Sequence, residues 1–510
     1  MSENECKVEE VYLDSEKYNK EYPTDKEVYI KLKRDVLVTN ISGPSNIKMG
    51  DKVEYIITGY SINKTNYNAN DINEKDKNKV KWRIEVFNNI NEKQPLEIIE
   101  LLKTNSDYTI EKDKLIINKI NEKWCNLNIR IYPYIKQATY RVMSSTNVKV
   151  GCFLGKVIEV TSFDNELKTI LNKSKVTQPH WKSKGNFKDS TGGSISPAII
   201  PARQGTKVIT NIKIEVTKAQ GISGNGKIKG ILSDGTKISL EGEFPITVGI
   251  HSIKVELLSK ETTLARHCGD IKWEIDIPNY GKQSMGSSFI EVYRIIEDTS
   301  HPFLNNGRPI EALRFLYDKL SLSRVNVKVT QTSDINITAK ITRYLHKSHG
   351  LKYDTYSGAS HFLMIKGRYD ASFKLYDYIN KSIGNIVNCY DQASAVNVFS
   401  AIMGTSGEKI FVKPFGYIKE TNLIGEGSCN NPFYNSNGSK KVIDLNSSNR
   451  TAFGNHQFYK DKSKMIFDAC AGPHLGTETY NEYLKNSVDI SRGKPSWVSY
   501  TDLLKINEIV

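Results

Sequence analysis

The sequence predicts a multidomain chain: two immunoglobulin-like β-sandwich domains followed by an α+β domain. Three observations carry this reading. Short runs rich in Val, Ile and Tyr, partly alternating in polarity, recur from about residue 28 to 150 and again from 206 to 297. A stretch rich in Gly, Ser and Pro separates them, and beyond about 298 the apolar residues take up helical spacing. A chain of 510 residues exceeds one ordinary core, and 38% apolar with 25% charged residues is a globular composition.

Residues 1–27 are polar and read as a loosely packed lead-in. The first sandwich, 28–150, begins with VYIKLKRDVLVTNI and continues with VEYIITGY (53–60), VKWRIEV (80–86) and LNIRIYPYI (127–135). Residues 151–205, which contain SKGNFKDSTGGSISPAIIPARQG, form a linker or long loops, because their composition favours turns over a sheet interior. The second sandwich, 206–297, has NIKIEV (211–216), KIKGILSDGTKISL (227–240), HSIKVELL (251–258) and IKWEIDI (271–277). Asp234-Gly235 suits a hairpin turn, since glycine accepts the positive φ required. VKWRIEV and IKWEIDI read as one strand used twice, each with a buried Trp between outward-facing charges.

The third domain, 298–510, opens with helical spacing in RPIEALRFLYDKL (308–320), ITAKITRYLHKSHG (337–350) and YDASFKLYDYINKS (369–382). Pro309 is acceptable near a helix start and Gly350 is a natural stop.

No run reaches the ~20 apolar residues that span a bilayer, and MSENECKVEEVY lacks the basic start and apolar stretch of a secretory signal. The expectation is a soluble protein without a transmembrane segment, cytoplasmic as synthesised, with export by a route needing no classical signal left open. A net charge of +14 favours acidic surfaces, but the lysines are spread through loops such as NEKDKNK, so specific nucleic-acid binding is not expected. Seven cysteines without a CxxC pair argue against a zinc knuckle or a dense disulfide scaffold.

The chemistry concentrates in IVNCYDQASAVNVFSAIMG (386–404), where a polar turn becomes an amphipathic helix that Gly404 ends. Cys389 stands on its first turn, where unsatisfied backbone N–H groups and the positive end of the dipole favour a thiolate and can receive an oxyanion. Downstream, TAFGNHQFY and KMIFD pair as a hairpin across KDKS; a three-residue loop centred on Lys462 sets His456 opposite Asp468, facing the same way. His456 then serves as base toward Cys389 and Asp468 orients the imidazole.

On these residues the C-terminal half resembles the transglutaminase-like branch of the papain-like fold. The likeness covers roughly 335–480: a Cys opening a central helix after a Gly-containing lead (GNIVNCYDQASAVNVFSAIMG), a hydrophobic strand (KIFVKPF, 409–415), a His strand (NHQFY) and an Asp in the next strand (MIFDAC). ITRYLHKSHGLKYD is similar to the family's leading helical segment. The resemblance implies a Cys389–His456–Asp468 triad acting on a protein or peptide. Two departures are Met465 where members often have Trp, and an insertion over 417–450 that forms a lid or a disordered excursion.

Rival readings are defined. Asn388 and Gln392 are candidate oxyanion or substrate contacts, with capping and solvent exposure as alternatives. His474 competes with His456 as base, His361 reads as structural or substrate-facing, and Cys429 as a surface or redox-active thiol. Cys389, His456, Asp468, Cys470 and His474 do not have zinc-site spacing, so neither metal nor cofactor is expected. The function expected is cysteine-dependent acyl transfer, first peptide hydrolysis, then glutamine deamidation or transglutamination. The non-enzymatic alternative is a binding protein with a degenerate enzyme domain. Loops of the β-sandwiches offer a protein-binding surface, and the architecture suits a bacterial effector or an enzyme processing a cell-envelope polymer.

Overall fold

The computed structural model describes residues 8–13, 28–32, 36–62, 64–89, 91–102, 104–135, 144–202, 209–233, 239–257, 263–321, 327–328, 333–433, 445–448 and 450–510. The chain is multidomain and mixed α+β, with several β-sheets and three separate hydrophobic cores. The Asp234-Gly235 turn lies outside the described residues.

Alternation builds the first core. In Val80–Phe87 every second side chain is buried, and the strand packs with Asn128–Ile135 against a second sheet that contains Val53–Ile62 and Lys114–Ile117. Trp82 is fully buried here and Trp273 almost so in the second core, so the two matching segments hide the same residue in different centres.

Two expected boundaries change. Val8–Leu13, within the supposed lead-in, pairs with Val28–Leu32 as a two-stranded sheet. Residues 151–163 are no linker either. They finish one strand, Thr146–Phe163, which pairs with Asn128–Ile135 on the first β region and with Ile209–Gln220 on the second. The Gly and Ser content that reads as a loop begins only beyond this strand. Its alternate buried Val148, Val150, Val157 and Val160 enter both cores in turn.

The second β region is also not two separate sheets. Strands run in an unbroken hydrogen-bonded path around its core, because Leu240 and Glu241 pair with Leu257 and Glu256 and close a corner between two hairpins. This region is tied to the helices by a buried carboxylate. Glu291 accepts from Arg266 at 2.8 Å, Arg314 at 2.7 Å, the Tyr293 hydroxyl at 2.6 Å and the Ser194 N–H at 2.7 Å. Burial opposes its charge, but these partners hold its pKa below the ordinary carboxylate value.

The third region has helices Ile310–Lys319, Ser333–Lys347 and Cys389–Ile402 against a five-stranded sheet. Of the segment expected to be helical over 369–382, Asp370–Phe373 is a strand and only Leu375–Asn380 is helix. The Cys389 helix is not amphipathic: every residue except Tyr390 is buried, the pattern of a helix enclosed on all sides. Gly404 ends it at φ +87°, and a Cβ there would stand 2.2 Å from the Glu297 carbonyl oxygen. Among the described residues no helix is long and apolar enough to cross a membrane.

Candidate active site

The lead into the Cys389 helix is fixed by a short parallel pairing of Ile386–Val387 with Lys352–Tyr353. Asn388 is extended and starts the helix as a capping box: its Oδ1 accepts from the Asp391 N–H at 3.1 Å, and the Asp391 carboxylate accepts from the Asn388 N–H at 3.2 Å. The Asn388 amide donates to the Gly358 carbonyl at 2.8 Å. Its polar groups are therefore spent on capping and loop anchoring.

Asp391 does more than cap. Its buried carboxylate also accepts from Ser360 Oγ at 2.6 Å and from the N–H groups of His361, Phe362 and Leu363 at 2.9, 2.8 and 2.8 Å. One charge thereby binds the 358–363 loop to the first turn beside Cys389. Asp391→Ala leaves these donors unpaired in the interior, and we expect a loss of about 3 kcal/mol in denaturant melts. A loss under about 0.5 kcal/mol would contradict the anchoring role.

His456 lies on the strand His456–Asp461, paired to Val412 of the neighbouring Gly407–Lys413. The hairpin register differs from expectation. Tyr459 pairs with Phe467 and Lys460 with Ile466, so Asp468 continues opposite Phe458, two residues from the expected partner. The turn takes up extra residues, with Lys464 at φ +67° and the Met465 N–H bound to Asp461 at 2.8 Å. A shift of two preserves the face, and His456 and Asp468 meet diagonally.

His456 Nε2 and Asp468 Oδ2 are 2.7 Å apart, and Cys389 stands close enough to the imidazole to help raise its pKa. With Nε2 turned to the carboxylate, Nδ1 is the nitrogen left for sulfur. All three residues are buried, and Phe415 packs on the imidazole at 4.8 Å between ring centroids. Burial opposes a charge on His456, yet Asp468 first and then Cys389 outweigh it and hold its pKa up at about 10. Burial likewise opposes ionisation of Asp468, but His456, His474 and a hydroxyl from Tyr483 bring it down to about 2.

These shifts fix a pH dependence. A histidine raised on folding contributes stability fully below its unfolded pKa of about 6.5, and loses it as pH rises through about 10. The stability gap between the native chain and His456→Gln is therefore expected to be widest near pH 6 and to close toward pH 10. Denaturant melts at pH 6, 8 and 10 measure it; a constant gap would refute the ion pair.

The other sequence candidates have partners of their own. Gln392 is fully buried, and its Oε1 accepts from the Tyr378 hydroxyl at 2.9 Å within an aromatic core. His474 is paired with Glu478 and packs edge-on against Tyr483, while His361 lies 3.3 Å from Asp354. Cys429 is not a surface thiol: it is fully buried on a short hairpin, Thr421–Leu423 with Gly427–Cys429, and burial pushes it up to about 11. Most of 434–449 in the insertion lies outside the described residues, but Phe433 packs between Tyr353 and Phe453 and builds an aromatic wall.

Tyr353, which sequence reasoning passed over, lies near Cys389. It pairs with Val387, two residues before Cys389, and burial first, then Cys389 and Cys470, push its phenol well above the ordinary value. Its only signal in the sequence is a parallel pairing between segments more than thirty residues apart, which no local pattern announces.

No protein-family model matches the chain, and no curated protein matches it. Solved structures that match parts of the chain include two at low scores. A DUF4785 family protein from Legionella pneumophila is 9% identical at a TM-score of 0.20, over 49% of this chain and 56% of that one. The three N-terminal domains of the bacteriophage RB49 Highly Immunogenic Outer Capsid protein are 8% identical at 0.23, over 52% and 72%. The chain thus spans little more than half of the first structure, and at these scores neither likeness bears on fold or function.

Proposed function

We propose that the protein is a cysteine-dependent acyl-transfer enzyme, a peptide hydrolase, with a transglutaminase-like C-terminal domain behind two immunoglobulin-like β regions. The observation that carries the reading is His456, bonded to the Asp468 carboxylate at 2.7 Å and near enough to Cys389, the first residue of a buried helix, to feel it electrostatically. The order of Cys helix, His strand and Asp strand, each next to the last, supports the family assignment.

In this reading His456 takes the Cys389 proton, sulfur attacks the substrate carbonyl, and the negative charge on oxygen is met by the first N–H groups of the helix and by the Tyr353 hydroxyl. Collapse to a thioester expels the amine, which leaves with the proton from His456. Water, deprotonated by His456, then attacks the thioester, releasing the acid and restoring the thiol. Asp468 keeps the imidazole turned with Nδ1 toward sulfur. A disulfide between Cys125 and Cys152 in the first β region supports an exported protein, since such bridges persist in oxidising compartments.

The test is incubation of the full chain with a complex peptide and protein mixture, read by mass spectrometry against a Cys389→Ala control. Cys389-dependent new termini support hydrolysis. Intact backbones carrying +1 Da glutamines or amine adducts would replace hydrolysis by deamidation or transglutamination through the same thioester.

A further inference from the structure

We propose that Tyr483 is a positioning residue of this site, its hydroxyl anchoring the Asp468 carboxylate in the place from which it orients His456. The inference rests on the triad reading above. Tyr483 stands in the first turns of the helix Tyr480–Ser487, which a capping box of Thr479 and Glu482 starts. Its hydroxyl donates to Asp468 Oδ2 at 2.7 Å, the same oxygen that faces His456 Nε2 at 2.7 Å. The other oxygen, Oδ1, accepts from the N–H groups of Cys470 at 2.8 Å and Ala471 at 3.2 Å.

The backbone turn thus fixes one oxygen, and Tyr483 is the protein group that shares the second with the imidazole. Without that hydroxyl Oδ2 keeps, among the described residues, only the imidazole itself as a partner, and no group independent of His456 fixes where that oxygen stands. The tyrosine ring is itself immobilised, fully buried, 4.5 Å from the Phe458 ring and 4.7 Å from His474 between centroids. The hydroxyl would therefore pay little conformational entropy to hold its partner.

The titratable groups around Asp468 come from several elements: His456 on its neighbouring strand, His474 on the following strand, His346 on the helix Ser333–Lys347, Cys389, and Cys470 and Tyr483 themselves. Tyr483 stays protonated, because burial and the adjacent Asp468 push its phenol well above the ordinary value. It acts as a fixed donor and exchanges no proton with the site.

The experiment follows His456 by NMR of histidine-labelled full chain, assigned with His456→Gln, in the native protein, Tyr483→Phe, Asp468→Asn and the double variant. Phenylalanine keeps the ring packing and removes only the hydroxyl; circular dichroism checks the fold. The His456 midpoint is expected to fall by about one pH unit in Tyr483→Phe, the scale of one hydrogen bond to a charged group. In the Asp468→Asn background the same change is expected to shift it no further. Iodoacetamide labelling of Cys389 at pH 6 is expected to slow about tenfold in Tyr483→Phe, again only while Asp468 is present. A midpoint that Asp468→Asn lowers but Tyr483→Phe leaves in place or raises would overturn the positioning role alone. A native His456 that titrates at its ordinary value, with Cys389 labelling indifferent to His456→Gln, would overturn the triad reading and this role with it.

Discussion

Cys389→Ala is expected to reduce turnover of any accepted substrate by at least ~10³-fold, to the level of a protein-free control. The reason is specific to covalent chemistry: without sulfur no thioester forms, and an alanine methyl offers nothing for His456 to activate. His456→Ala is expected to cost about as much, because the thiol then has no proton acceptor in a buried site. Asp468→Asn should cost less, since the imidazole remains present but loses its orienting charge. Combining the changes should add little beyond the Cys389 variant, because the three act as one unit. Rates measured on a substrate found in the peptide mixture would decide this. Full activity of Cys389→Ala on that substrate would remove the proposed function outright.

The second large effect concerns stability. Glu291→Ala is expected to cost about 3 kcal/mol, because it strips Arg266 and Arg314 of a fully buried counter-charge that also holds Tyr293 and the Ser194 N–H. The two guanidinium groups are partly exposed, at 25% and 17%, so water recovers some of the loss. Glu291→Gln, which keeps acceptor geometry at one oxygen, should cost about half as much. Chemical denaturation of the three proteins measures this directly. An alanine variant within about 0.5 kcal/mol of the native chain would show that the cluster contributes nothing net.

Local rules made part of this architecture readable. Asn388 and Gly404 bound the Cys389 helix by ordinary cap chemistry, and the common face of His456 and Asp468 follows from parity along a hairpin, which survives a register error of two. The exact register was not readable because it depends on how Asp461 and Lys464 shape the turn. The helix looked amphipathic because Ser394, Asn397 and Ser400 are polar, yet all three lie inside, Ser400 beside Thr338 at 3.4 Å. Lys409 misleads in the same way: a charged residue in a strand reads as outward-facing, but it is fully buried and donates to the Leu504 carbonyl at 2.6 Å. Tyr353, Asp391 and Tyr483 escaped because their importance comes from partners distant in the chain. The supposed linker failed for another reason. In 151–205 the Gly- and Ser-rich residues dominate the composition and mask the strand that ends at Phe163.

That strand, Thr146–Phe163, has a mechanical meaning. A polypeptide pulled from its two ends transmits tension through whatever spans its modules, and here the span is a continuous ladder rather than a loose tether. Stretching would have to strip this strand from one of its two neighbours before the two β regions could separate. The two β regions are thus joined by shared sheet structure, so that pulling them apart means breaking a ladder and not merely extending a tether.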